Sequence, residues 1–232
     1  MRTLVLFDID GTLLLTAGAG RRAITAALHA ELGGSDAFER VRFDGKTDPQ
    51  IVRELLDLAG HPGATDADFV WSLCRRYVSY LAEELRHPRS ETTVMPGITP
   101  LLVALEARDD VMLGLLTGNM REGAALKLQS AGIAPARFPV GAFGSDSARR
   151  PDLPAIATQR AEPHFGRRPH GREVIIIGDT PADVTCGRGI AARAIGVATG
   201  AYPVAELAEA GADHAFEDLS DTARVLEAIL GE

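Results

Sequence analysis

Apolar residues run along this chain in two rhythms. Short uninterrupted runs, Leu4–Leu6, Val111–Leu116 and Val174–Ile177, have the length and the polar boundaries of buried strands. Phe138–Phe143 and Ala194–Ala198 predict two more. Around them the apolar positions take helical spacing at Ile98–Ala107, Arg121–Ala131, Pro154–Ala161, Val204–Ala210 and Leu219–Leu230. Strand and helix in alternation predict an α/β fold, a Rossmann-like parallel sheet with helices on both faces. Ligands of such sheets bind beyond the carboxyl ends of the strands.

The stretch from Thr16 to Thr93 breaks the alternation. Arg21–Leu32, Asp48–Ala59 and Asp66–Arg86 carry helical stripes: Leu28 and Leu32; Ile51, Leu55 and Leu58; Phe69, Leu73, Tyr77 and Leu81. Asp48-Pro49 starts a helix with proline in its first turn, and Gly33-Gly34 and Gly60 end the preceding helices. The prediction is an α/β core, residues 1–15 and 94–232, interrupted by an all-α domain at residues 16–93. Trp71 is read as core of that helical unit.

Composition narrows the classes of function. Of the 232 residues 46% are apolar, enough for a substantial core, and no apolar run reaches membrane-spanning length. The formal charge of −8 speaks against a nucleic-acid partner, which demands clustered Lys and Arg. Arg21-Arg22 and Arg167-Arg168 are read as solvated patches. Cys74 and Cys186 lie far apart without a motif partner, and no secretory pattern opens the chain, so a cytoplasmic protein with reduced thiols is expected. The six histidines have no metal-ligand spacing. Oligomeric state is not legible in the sequence.

Candidate chemistry sits at two strand ends. Phe7-Asp8-Ile9-Asp10-Gly11-Thr12-Leu13 sets two carboxylates one residue apart, directly after the first apolar run. Like charges so close are costly unless a cation neutralises them or the pair performs chemistry. A second acidic cluster, Gly178-Asp179-Thr180-Pro181-Ala182-Asp183, follows another apolar run, and the two could converge on one divalent metal ion.

These residues resemble the haloacid dehalogenase superfamily of aspartate-nucleophile phosphohydrolases, in its phosphoglycolate-phosphatase-like branch. Phe7 to Leu13 match the first motif, and Val111 to Leu116 followed by Thr117-Gly118-Asn119 match the second. Gly178-Asp179 with Asp183 match the fourth. The third departs: where the family carries lysine, often as Lys-Pro, this chain reads Arg149-Arg150-Pro151, with Arg150 the better match and Arg149 a competitor. The resemblance implies that the helical insertion is a cap and that the reaction is phosphoryl transfer. Asp8 would be the nucleophile and Asp10 the general acid and base. Mg²⁺ would be held by Asp8, Asp179 and the backbone carbonyl of Asp10. Asp183 would ligate through water or orient the ligands, unless it is only a helix-start aspartate.

Thr117, Gly118 and Asn119 would bind phosphoryl oxygens, although Thr and Asn there also suit a helix cap. Arg150 would neutralise charge on the nucleophile and phosphoryl group. Phe43-Asp44-Gly45-Lys46-Thr47-Asp48-Pro49 resembles the family's closing loop, so Lys46 would either meet an anionic end of the substrate or stay in solvent. The expected activity is a Mg²⁺-dependent phosphatase for a small phosphorylated metabolite, phosphoglycolate-like or a sugar phosphate. A phosphosugar mutase is the enzymatic rival, and a non-catalytic metabolite-binding module is the rival outside enzymes. Phosphonate cleavage would need a Schiff-base lysine in the cap, where Lys46 is the single candidate.

Overall fold

The computed structural model describes residues 2–33, 38 and 41–231. The chain opens with β1 (Thr3–Phe7) and β2 (Leu14–Leu15), passes through α1 (Ala19–Leu32), α2 (Asp48–Leu58) and α3 (Ala67–Glu84), and returns as β3 (Thr93–Val94). Strand and helix then alternate: α4 (Ile98–Glu106), β4 (Val111–Leu116), α5 (Arg121–Ser130), β5 (Val140–Ala142), α6 (Leu153–Phe165) and β6 (Val174–Gly178). The last elements are α7 (Pro181–Cys186), β7 (Arg193–Val197), α8 (Val204–Glu209), β8 (His214–Phe216) and α9 (Thr222–Leu230).

Six strands form one parallel sheet in the order β5-β4-β1-β6-β7-β8. β1 is central and every one of its residues is buried, which is why it reads as an unbroken apolar run rather than an alternating one. Its side chains divide between the two faces. Val5 and Phe7 pack with Leu101, Leu105 and Ile229 of α4 and α9, while Leu4 and Leu6 pack with Leu153 and Ala157 of α6. The chain leaves β1 toward β4 and β5 on one side and fills β6, β7 and β8 on the other. The order therefore reverses beside β1, and a crevice opens beyond the carboxyl ends of β1, β4 and β6.

The three helices between β2 and β3 bury their own apolar cluster, with Leu28, Leu55, Leu73, Tyr77 and Leu81 inside and Trp71 at its margin. β2 and β3 pair antiparallel, Leu14 with Val94 and Leu15 with Thr93, so the insertion leaves and re-enters the core through one narrow ribbon.

Several elements differ from the sequence expectation. Leu58 is 45% exposed: α2 buries Ile51, Val52, Leu55 and Leu56, and beyond its end Ala64 of the following turn carries the apolar face onward. The final helix begins at Thr222 rather than Leu219, because Asp221 caps it by accepting from the Arg224 N–H at 3.2 Å. Phe138 precedes its strand, which is only Val140–Ala142. The short strands β2, β3 and β8 have no run long enough to mark them. Gly33 ends α1 with a φ of 67°; Gly34 lies outside the described residues.

Candidate active site

Asp8 leaves β1 with its N–H still donating to Ile177 O of β6 at 2.9 Å, so the sheet itself fixes the direction of its side chain. Arg150 Nη2 lies 3.1 Å from Asp8 Oδ1 and also pairs with Asp183. Arg150 stands at the start of a short 3₁₀ turn and is buried, whereas Arg149 beside it points to solvent. Both carboxylates hold the Arg150 guanidinium charged against the opposing cost of burial.

Asp183 sits in the first turn of α7, where it and Thr180 cap one another. Asp183 Oδ2 accepts from the Thr180 N–H at 3.0 Å and from its hydroxyl at 2.6 Å. Both Asp183 oxygens are thus engaged. Asp179 has a different environment. It accepts from Thr12 Oγ1 at 3.2 Å and forms no ion pair among the described residues. Backbone presses on it from two sides: a Cβ added at Gly11 (φ 82°) would fall 2.3 Å from Asp179 Oδ2, and one at Gly200 would fall 1.8 Å away.

One oxygen from each of Asp8, Asp179 and Asp183 can be chosen so that all lie within 4.8 Å of one another. Burial first, and then the neighbouring carboxylates, push the Asp8 and Asp179 carboxyls well above the ordinary range, with Arg150 opposing the effect at Asp8. Three buried carboxylates against one guanidinium leave negative charge unbalanced. An all-oxygen donor set with that imbalance fits a hard divalent cation.

Asp10 occupies the other end of the floor. Lys127 Nζ of α5 donates to Asp10 Oδ1 at 2.8 Å and Oδ2 at 2.7 Å. Asn119 Nδ2 donates to Asp10 Oδ2 at 2.8 Å and to Thr117 Oγ1 at 2.7 Å. Thr117 Oγ1 also accepts from the Asn119 N–H at 3.3 Å, which leaves its own hydroxyl proton uncommitted among the described residues. Sequence reasoning missed Lys127. Its one visible signal is a lysine between Ala124 and Leu128 on the buried face of α5.

The helical insertion closes directly on this floor. Gly118 is pressed against the loop before α2, where a Cβ on it would come within 2.1 Å of Lys46 O. Asp48 N–H donates to Gly118 O at 2.8 Å, and Asp48 Oδ2 accepts from Met120 N–H at 2.7 Å. Burial pushes the Asp48 carboxyl up to about 6, while Lys127 and the Met120 N–H act against that rise. Between floor and helices lies a cavity of about 240 Å³, walled on the helical side by Arg21, Ile24, Phe43, Lys46 and Tyr77. Asp183 is not in its wall.

Lys46 lines the cavity but is paired with Glu54, whose other oxygen accepts from Gln50 at 3.0 Å. Arg21, read from sequence as solvated, lies along the cavity wall with its guanidinium 3.9 Å from the Phe43 ring centroid. It donates to Val41 O at 2.9 Å and forms no ion pair among the described residues. Arg22 turns the other way, to Glu84 at 2.8 Å and Ser90 at 2.6 Å.

The family model of the haloacid dehalogenase-like hydrolases matches residues 5–188, a span that contains Asp8, Asp10, Thr117, Lys127, Arg150, Asp179 and Asp183. The chain belongs to this family. Its haloacid dehalogenase-like fold recurs along the whole length of solved structures. A hydrolase from Pseudomonas syringae superposes with a TM-score of 0.73 at 23% identity, covering 99% of both chains. A predicted phosphoglycolate phosphatase from Haemophilus somnus gives 0.72 at 20% identity, covering 97% of this chain and 98% of its own. CbbY from Rhodobacter sphaeroides, in a mutant form bound to xylulose-(1,5)bisphosphate, gives 0.73 at 19%, with 95% and 96% covered. No curated protein matches the chain. At these identities the likeness of this haloacid dehalogenase-like hydrolase to the solved structures is one of fold. Among its described residues no helix is long and apolar enough to cross a membrane.

Proposed function

We propose that this hydrolase is a Mg²⁺-dependent phosphatase for a small phosphorylated metabolite and that it works through an aspartyl-phosphate. The observation that carries the reading is the division of labour between two neighbouring carboxylates. Asp8 lies beside the Arg150 guanidinium at 3.1 Å, and Asp10 is held apart from it by Lys127 and Asn119. Two carboxyl groups in different environments can take different roles, one as nucleophile and one as proton carrier. Arg150 lines the cavity beside Asp8, a buried cation suited to offset the charge of an incoming phosphoryl group.

Asp8 would attack phosphorus in line with the leaving oxygen and become the acyl phosphate, which splits hydrolysis into two displacements. Asp10 would give a proton to the leaving oxygen and later take one from the attacking water. The free Thr117 hydroxyl proton and the Gly118 backbone would meet equatorial oxygens of the phosphoryl group. Mg²⁺ would be held by Asp8, Asp179 and the Asp10 backbone carbonyl, supplying positive charge that keeps both carboxylates ionised and offsets the phosphate. Asp183 would orient Arg150 rather than bind the ion directly, since both its oxygens are engaged. The segment 16–93 would act as a cap whose closure excludes bulk water and large substrates.

A 240 Å³ cavity suits a metabolite rather than a phosphoprotein. The CbbY neighbour, bound to a bisphosphorylated sugar, is a relative in fold with a small phosphorylated ligand. A panel of phosphorylated metabolites and one aryl phosphate, assayed with Mg²⁺ and with chelator, tests the reading. Metal-dependent phosphate release is expected. Conversion of a sugar phosphate to its isomer with no phosphate released would assign a mutase instead.

A further inference from the structure

We infer that Lys127 is a positioning residue for Asp10: its ammonium grips both carboxylate oxygens from the buried side and holds them toward the cavity. The inference rests on the phosphatase reading and adds to it a residue outside the four family motifs. A lysine ammonium has three donors. Here all three find acceptors: Asp10 Oδ1 at 2.8 Å, Asp10 Oδ2 at 2.7 Å and Asn119 Oδ1 at 2.6 Å. The Lys127 side chain is 5% exposed and that of Asp10 39%, so an enclosed ammonium anchors a carboxylate that stays open to the cavity both residues line.

Packing is arranged around this contact. Gly20 of α1 passes over the ammonium, and a Cβ there would lie 3.2 Å from Lys127 Nζ. The stem of Lys127 lies on the buried face of α5 with Ala124 and Leu128. An apolar side chain would fill that face without the desolvation cost of burying a charge. What the charge secures is the orientation of Asp10 and, through Asn119, of Thr117. Asn119 Nδ2 bridges Asp10 Oδ2 and Thr117 Oγ1, and Lys127 fixes which way that amide points. A carboxylate that must deliver a proton and later remove one loses rate if it rotates out of reach, because geometry precedes pKa in such transfers.

The decisive experiment is a double-mutant cycle between Lys127→Met and Asp10→Asn, read in kcat on an alkyl phosphate with Mg²⁺. A residue that acts through Asp10 should cost about 10²-fold in the wild-type background, within the range for acid–base catalysis, and roughly twofold or less once Asp10 is an amide. KM should move little, and Lys127→Arg should recover part of the loss. Equal losses in both backgrounds, or full activity of Lys127→Met, would overturn the inference while leaving the phosphatase reading intact. Should Lys127→Met not fold, Lys127→Gln enters the same cycle under the same criterion. A wild-type protein that hydrolyses no member of the metabolite panel overturns both.

Discussion

Arg150 and Lys127 stand at opposite ends of one cavity floor, each buried and each facing carboxylates, yet their bonding differs. Lys127 spends all three donors on Asp10 and Asn119. Arg150 meets Asp8 and Asp183 both through Nη2, and its guanidinium has more N–H donors than those two contacts use. A saturated cation can only hold what it already touches, whereas an unsaturated one beside a cavity has capacity for a ligand. The floor therefore divides into an end prepared to receive charge and an end prepared to keep a side chain still.

Removing the charge of the proposed nucleophile should break that division most completely. Asp8→Asn keeps the shape of the side chain and removes its charge, while Arg150 retains Asp183. Turnover should fall to background with the fold intact. Acid quench of a single turnover with ³²P-labelled substrate should leave label on the unmodified protein at Asp8, where borohydride reduction should convert the acyl phosphate to homoserine. Phosphate release with no label trapped on Asp8 would mean that water attacks directly.

Arg150→Ala comes next. It strips charge compensation from Asp8 and leaves Asp183 buried without its cation, so kcat should drop about 10²–10³-fold. The same change should cost on the order of 3–5 kcal/mol of stability in chemical denaturation. Arg150→Lys should retain more of both. Arg149→Ala should stay within about 0.5 kcal/mol and near full activity, since its side chain is exposed. A larger loss at Arg149 would move the receiving cation by one residue.

The same contrast explains what the sequence could show. Asp8, Thr117 and Asp179 follow strand ends, and a buried parallel strand announces itself as an apolar run with chemistry at its end. The parallel sheet and the helical insertion were legible for that reason, by their periods of strand and helix. Arg150 was legible through its neighbour Pro151. Lys127 follows no strand end: it lies inside a helix, and only the packing of α5 against Gly20 and Asp10 turns a lysine inward. The ion pair of Lys46 with Glu54 and the turn of Arg21 toward the cavity are likewise products of tertiary packing, as are the two-residue strands that carry the insertion.

Asp48 measures how far the Lys127 charge reaches. Burial raises its carboxyl from 3.8 to about 6, with Lys127 the largest influence pulling it down. A group with a raised folded-state pKa contributes stability that is fully present below the unfolded value, near pH 4, and is lost as pH rises through about 6. The loss is on the order of 3 kcal/mol at most. Asp48→Asn cannot titrate, so its Tm relative to the unmodified protein should climb by several degrees between pH 4 and pH 7. In a Lys127→Met background Asp48 should titrate higher still and the climb should be steeper. A Tm difference independent of pH would show that Asp48 is equally charged in both states.

The smallest effect separates the two cations on the helical wall. Lys46 lines the cavity with its charge already answered by Glu54, while Arg21 is steadied by Phe43 and Val41 and answered by no carboxylate among the described residues. An anionic group at the far end of a substrate should therefore be met by Arg21 rather than Lys46. Arg21→Ala should lower kcat/KM about tenfold for a metabolite carrying a second anionic group, the scale of one charged hydrogen bond. It should leave an aryl phosphate nearly unaffected. Lys46→Ala should cost less on both, because the released Glu54 carboxylate repels the anion only weakly from the cavity margin. If the order is reversed, the Lys46–Glu54 pair opens when substrate arrives and the receiving charge on that wall is Lys46.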